Sequence, residues 1–114
     1  MYTYYDLQGF WKPEGGDITY HVAIKVLNES AASAEASKEL LEEGIVMASM
    51  DNDNVVRLYA LCMGSQMMLV SQFVPLGALI SYLKKYKDAL NAHTMLTFCA
   101  QIASVRTLIH NINC

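Results

Sequence analysis

The stretch Tyr20-His21-Val22-Ala23-Ile24-Lys25-Val26-Leu27 decides the fold. It is rich in β-branched residues, which favour a strand, and it carries one lysine among apolar neighbours. Because successive side chains of a strand point to opposite faces, Lys25 shares a face with Ala23 and Leu27. A lone ammonium buried on that face would be costly, so we expect Lys25 to have a charged partner.

A helix is predicted after this strand, from Ser33 to Met50, where the composition changes to strong helix formers. Ser33, or Ser30 one turn earlier, can cap its first turn. The run Asp51-Asn52-Asp53-Asn54 is typical of a loop and ends the helix.

Glu43 lies in this helix at spacings of three and four from its apolar stripe. The stripe consists of Ala36, Leu40, Met47 and Met50. Because the stripe should pack on the sheet, the simplest arrangement pairs Glu43 with Lys25 across the interface. Two alternatives stay open from the pattern alone: the lysine can extend to water, or the glutamate can lie at the rim.

Two hairpins are predicted, one on each side of the helix. Turn residues of the sequence Pro-Glu-Gly-Gly-Asp separate Gly9–Trp11 from Ile18–Leu27, which should pair as antiparallel strands. A Gly-Ser pair joins the apolar runs Val55–Met63 and Gln66–Phe73, which is typical of a tight hairpin.

Two further helices are predicted, Ala78–Tyr86 and Thr94–Ile109, after Pro75 and Gly77 interrupt the strand pattern. The fold class is therefore α+β, with a small antiparallel sheet that carries one helix on a face. We expect part of the apolar surface of the last two helices to be exposed, namely Leu79, Leu83, Leu96, Phe98 and Ile102.

The composition excludes several classes of function. The chain has 114 residues, 54% of them hydrophobic, and a net charge of -3 without any basic run. This argues against nucleic acid or an anionic membrane as a partner. The three cysteines are widely spaced, which argues against a zinc site or a disulfide framework and suits a reducing, cytoplasmic compartment.

The run Val22-Ala23-Ile24-Lys25 matches the V-A-I-K strand of protein kinases. Other segments resemble, in the same order, the kinase domain of the epidermal growth factor (EGF) receptor, or ErbB, family of receptor protein tyrosine kinases. These segments are Trp11–Gly15, Glu42–Asp51, Val56–Leu58, Cys62–Gln72, Pro75–Leu83 and Phe98–Ala103.

This resemblance implies an incomplete kinase fold: an N-lobe whose sheet carries the family's helix αC, then a hinge and two C-lobe helices. The implied divisions are a non-matching N-terminus at 1–8, the N-lobe at 9–73, the hinge at 74–77, the start of the C-lobe at 78–103 and a non-matching tail at 104–114.

The resemblance also implies an ATP site. Lys25 would contact the α- and β-phosphates, and Glu43 would hold Lys25 in place. The residues implied for the adenine side are Ala23, Ser71 at the gatekeeper position, Gln72 and Val74. Met47 and Leu58 would belong to the N-lobe part of the regulatory spine.

Several motifs of phosphoryl transfer are not found in these 114 residues. Residues 1–9 contain one glycine, where kinases have a glycine-rich loop over the phosphates. Neither H-R-D nor D-F-G occurs, so no catalytic aspartate and no Mg²⁺ ligand is identified. We therefore expect weak or absent ATP binding and no catalysis by this polypeptide alone, which leaves its assignment as an enzyme uncertain.

Three functions are considered. The first is a fragment of an EGF-receptor-like kinase, which in its family phosphorylates protein tyrosines with ATP in transmembrane receptor signalling. The second is a non-catalytic module that pairs with an intact ErbB-type kinase domain and modulates it. The third is a phosphorylatable tail made of Tyr2, Tyr4 and Tyr5. The chain itself is expected in the cytoplasm, without direct membrane contact, although the parent receptor would span the plasma membrane.

Overall fold

The computed structural model describes the backbone of residues 3–113 and the side chains of residues 3–30 and 32–110. Tyr2 and Cys114 lie outside the described residues. The residues up to Asp51, together with Val56–Phe73, form one compact unit, and Asn52–Val55 with the residues from Val74 onward form another.

The first unit is built on a four-stranded antiparallel sheet. Its strands are β1 (Tyr4–Trp11), β2 (Tyr20–Leu27), β3 (Leu58–Met63) and β4 (Met67–Gln72), in the order β1-β2-β4-β3. Both predicted hairpins are present, and the predicted α+β class is confirmed.

Strand β1 begins at Tyr4, although the sequence pattern predicted a strand only from Gly9. The pattern was incomplete because Asp6 and Gln8 interrupt the apolar run, whereas strand pairing depends on the partner. Strand β1 pairs with β2 over its whole length, from Tyr4 opposite Leu27 to Trp11 opposite Tyr20. Tyr4 and Tyr5 therefore belong to the sheet and not to a free tail.

Helix α1 (Ala34–Ser49) lies within one residue, at each end, of the predicted range from Ser33 to Met50, and these two residues are its caps. The Ser33 side chain accepts a hydrogen bond of 3.1 Å from the backbone N–H of Ala36 and caps the first turn. Ser30 instead lies in a short 3₁₀ helix, Glu29–Ala31.

Helix α1 packs on one face of the sheet through a small apolar core. Leu40 is fully buried, and the buried residues of this cluster are Leu27, Ala36, Leu40 and Leu69. Met47 and Leu58, the two predicted spine residues, are partly buried and pack against it. This packing therefore fixes the position of α1 relative to strands β2 and β4.

The second unit contains α2 (Leu79–Tyr86) and α3 (Ala92–Asn113), which confirms the two predicted helices. Asn91 caps α3, since its side chain accepts a 2.8 Å hydrogen bond from the N–H of Thr94. Leu79, Leu96 and Ile102 are exposed as expected. Among the described residues, no helix combines the length and apolar character that a membrane span requires.

Candidate functional site

Lys25 and Glu43 form an ion pair between strand β2 and helix α1. The Lys25 Nζ lies 3.0 Å from Glu43 Oε2. The pair predicted from the sequence is therefore present, but it is not buried: 32% of the lysine side chain and 43% of the glutamate side chain are exposed.

The exposure of Glu43 follows from the position of its neighbour. Gly44 is buried in line with Ala36 and Leu40, one helical turn apart, and a Cβ at Gly44 would lie 3.4 Å from Leu69 Cδ1. The centre of the helix–sheet interface therefore passes through Gly44. Glu43 is rotated toward the rim, where water solvates its carboxylate.

Tyr4 adds a contact to this pair that the sequence did not predict. The Lys25 Nζ lies 4.7 Å from the centroid of the Tyr4 ring, within the range of a cation–π interaction. The Tyr4 hydroxyl donates a 3.0 Å hydrogen bond to the backbone carbonyl oxygen of Ala36 in α1. The only sequence signal is the two-residue alternation, which places Tyr4 on the face of Lys25 once β1 is extended.

The surroundings of Tyr4 raise the pKa of its hydroxyl above the usual value. Burial is the main cause, and the carboxylates of Glu39 and Glu43 act in the same direction, whereas the Lys25 ammonium opposes them. Tyr4 therefore keeps its proton at neutral pH and acts as a hydrogen-bond donor.

Asp6 lies directly opposite Lys25 in the β1–β2 register. Directly paired residues share a face, with Cβ atoms about 5 Å apart. Within the described part of the chain no ion pair joins Asp6 to Lys25. Lys25 is therefore bound to one carboxylate and lies beside a second one.

Ala23 and Ser71 lie on the same face of the sheet as Lys25. Ala23 is paired with Ser71, and Lys25 is paired with Leu69, across strands β2 and β4. The structure thus brings together three of the predicted site residues, two of them with small side chains. The contact of Ala23 with adenine, the gatekeeper position of Ser71 and the contact of Lys25 with phosphate stay predictions.

The other two predicted adenine contacts differ in what the structure shows of them. The backbone N–H of Gln72 donates a 2.8 Å hydrogen bond to the carbonyl oxygen of Arg57, so this N–H is engaged within the sheet. Val74 belongs to the second unit, and its part in the site stays a prediction.

A stack of three rings was also missed by sequence reasoning. The His21 ring lies 4.8 Å from that of Phe10 and 3.9 Å from that of Phe73, between centroids. The side chains of His21 and Gln8 approach to 3.2 Å. The register between β1 and β2 pairs Phe10 with His21. These rings therefore lie on the same face of the sheet as Ala23 and Lys25.

No metal centre accompanies this face in the part of the chain that the structure describes. In residues 3–113, no group of three or more His, Cys, Asp or Glu side chains is arranged to hold a metal ion. The charged groups of this face are the Lys25 ammonium and the carboxylates of Asp6 and Glu43.

The sequence was compared with known protein families and proteins. The family described as protein tyrosine and serine/threonine kinase matches residues 7–114. The epidermal growth factor receptor of Apis mellifera is 45% identical over 96 residues, which cover 84% of this chain and 7% of that protein.

Two further relatives are receptor tyrosine-protein kinases. Human erbB-4 is 40% identical over 96 residues, or 84% of this chain, and erbB-2 of Mesocricetus auratus is 35% identical over 105 residues, or 92% of it. The chain spans 7% or 8% of the length of these relatives.

Proposed function

This chain belongs to the protein tyrosine and serine/threonine kinase family, within the EGF receptor (ErbB) group, and we propose that it forms the nucleotide-facing wall of such a kinase domain. The observation that supports this most strongly is the 3.0 Å ion pair between Lys25 and Glu43. It links the strand and the helix that carry the corresponding pair in kinases.

The residues of this face fit a nucleotide in part. The Lys25 ammonium has three N–H donors, and Glu43 takes one of them, which leaves capacity for phosphate oxygens. Ala23 would lie against the adenine, and Ser71, its partner in strand β4, would occupy the gatekeeper position at the back of the pocket. Gln72 and Val74 would offer backbone groups to the adenine edge. ATP would supply the phosphoryl group that kinases transfer.

Two features of the chain weaken this fit. The Asp6 carboxylate lies opposite Lys25, and like charge opposes the approach of a phosphate. The sequence also contains no H-R-D or D-F-G motif to supply a base and Mg²⁺ ligands. This polypeptide alone therefore binds ATP weakly and does not transfer phosphate.

The wider role follows from the names of the relatives, which are receptor tyrosine-protein kinases. The protein that contains this segment would phosphorylate protein tyrosines with ATP, at the cytoplasmic side of the membrane that its receptor spans. This chain would contribute the lysine and glutamate pair to that site.

A phosphate-transfer assay tests the proposal for the polypeptide itself. The 114-residue chain, incubated with ATP, Mg²⁺ and a tyrosine-containing peptide, should transfer no more phosphate than its Lys25→Met variant. Transfer by the unmodified chain that Lys25→Met abolishes would contradict the proposal, because a complete catalytic site would then be present.

A second candidate function is a non-catalytic module that binds an intact ErbB-type kinase domain. Ile45 and Val46 support it, since they are 58% and 50% exposed on α1, away from the apolar core. Exposed adjacent apolar side chains of this kind favour a protein partner.

Co-purification with an intact EGF receptor kinase domain tests this second function. The chain should be retained at micromolar concentration, and Ile45→Asp should abolish retention. Ile18→Asp is the matched control, because Ile18 is 62% exposed and lies outside α1. Equal loss with both variants, or no retention at all, would contradict the module.

A further inference from the structure

We propose that Tyr4 is a positioning residue that keeps Lys25 paired with Glu43 rather than with Asp6. The inference rests on the proposed function of the Lys25–Glu43 pair. It adds that a residue of strand β1 holds this pair in place. Asp6 lies directly opposite Lys25 in the β1–β2 register, and yet the structure shows Lys25 bound to Glu43 of helix α1.

Tyr4 contacts both Lys25 and helix α1, the helix that carries Glu43. Its ring lies 4.7 Å from Lys25 Nζ, and its hydroxyl donates a 3.0 Å hydrogen bond to Ala36 of helix α1. Glu43 follows Ala36 by about two helical turns on the same side of α1, and its Oε2 lies 3.0 Å from Lys25 Nζ. Each contact therefore limits the movement of the other two.

The ring of Tyr4 is itself held in place. Tyr4 pairs with Leu27 in the sheet and packs against the buried cluster that includes Leu27, Ala36 and Leu40. The backbone N–H of Asn28 donates a 2.8 Å hydrogen bond to the carbonyl oxygen of Thr3, which fixes the start of β1. The ring is thus a rigid surface for the lysine.

This rigid ring explains the choice between the two carboxylates. Asp6 lies on the same strand as Tyr4, opposite Lys25, whereas Glu43 lies on α1. Tyr4 contacts both Ala36 of α1 and Lys25, and the electron-rich face of its ring stabilises the ammonium next to Glu43. The hydroxyl remains a donor, since burial raises its pKa and the carboxylates of Glu39 and Glu43 add to this, whereas Lys25 opposes it.

The test measures how Glu43 protects Lys25 from an amine-selective acylating reagent in the folded 114-residue chain without nucleotide. Labelling at Lys25 is read by peptide mass spectrometry. When Tyr4 is kept, the Glu43→Gln substitution should raise the labelling rate of Lys25 roughly two- to five-fold, as expected for a partly exposed ion pair.

Tyr4→Leu should remove this dependence, because Lys25 no longer pairs with Glu43; the added Glu43→Gln substitution then changes its labelling little. Tyr4→Phe should retain the dependence through its ring. Tyr5→Leu is the matched control: Tyr5 is the next residue of β1, on the opposite face, and its hydroxyl accepts a hydrogen bond from Gln66. Lys85 serves as an internal reference for labelling.

The proposal would be overturned if Glu43→Gln raised the labelling rate of Lys25 as much in the Tyr4→Leu chain as it does when Tyr4 is kept. It would also be overturned if Tyr5→Leu removed this increase to the same extent as Tyr4→Leu. If Tyr4→Leu does not fold, NMR of the unmodified chain and of Tyr4→Phe replaces the labelling test. Nuclear Overhauser contacts between the ring of residue 4 and the Lys25 ε-methylene are expected in both chains. Their absence would overturn the proposal. Because nucleotide is omitted throughout, these results do not depend on ATP binding.

Discussion

Lys25 Nζ lies 3.0 Å from Glu43 Oε2, and yet neither side chain of this pair is buried. The contact therefore combines good geometry with strong solvent screening. Such a pair contributes little to the stability of the fold, which suits the proposed role of Lys25 in contacting a nucleotide phosphate.

A double-mutant cycle should give a small coupling energy between the two residues. Lys25→Met, Glu43→Gln and the double variant are compared by urea unfolding, and we expect a coupling of about 0.2–1 kcal/mol, since water screens both charges. The control is Lys38–Glu42 on the outer face of α1, with 3.8 Å between charged atoms and exposures of 74% and 62%. Its coupling should be smaller still, and a coupling of several kcal/mol for Lys25–Glu43 would show that the pair is buried in solution.

The difference between the predicted and the observed pair has a physical reason. Helical periodicity correctly indicated that Glu43 lies near the sheet, because spacings of three and four define a face. It did not show where the sheet ends beneath that face. That depends on the close packing of Gly44 against Leu61 and Leu69, which are distant in the sequence.

Gly44→Ala should stabilise the chain by about 0.5–1 kcal/mol. Alanine is a better helix former than glycine, and its Cβ would lie 3.4 Å from Leu69 Cδ1 and 3.5 Å from Leu61 Cδ2, which are ordinary contact distances. The measurement is the urea midpoint at unchanged slope. Gly44→Val is the control and should destabilise, because further methyl groups overpack the interface. A loss of stability in Gly44→Ala would mean that the helix lies closer to the sheet.

Local chemistry made much of the fold predictable, and tertiary pairing accounts for what was missed. Ser33 marks the start of α1, because a serine before a run of helix formers caps the free N–H groups. The first half of β1 gave no such signal, since Asp6 and Gln8 break its apolar pattern. Its strand conformation depends on β2, and so the contact between Tyr4 and Lys25 could not be read from the chain.

The stability of the chain should fall more steeply in alkali because of Tyr4. Its pKa is raised in the folded state by burial and by Glu39 and Glu43, so the folded chain holds this proton more tightly than the unfolded chain. The resulting stabilisation is complete below the unfolded value of about 10 and is lost as pH rises through the higher folded pKa.

Chemical unfolding at stepped alkaline pH measures this effect. Tyr4→Phe has no hydroxyl to ionise at this position, so its stability should depend less on pH over that range, and it should lose the hydrogen bond to Ala36 at neutral pH. Identical alkaline profiles for the two chains would contradict the assigned environment of Tyr4.

The most direct test of the central claim is an NMR titration of the 114-residue chain with ATP. If this face is the nucleotide-facing wall of an EGF-receptor-type kinase domain, ATP should produce weak, saturable shifts at Ala23, Lys25 and Ser71. These shifts should disappear in Lys25→Met, while Lys85→Met leaves them unchanged. An absence of shifts at these residues, or shifts that Lys25→Met does not alter, would contradict the claim.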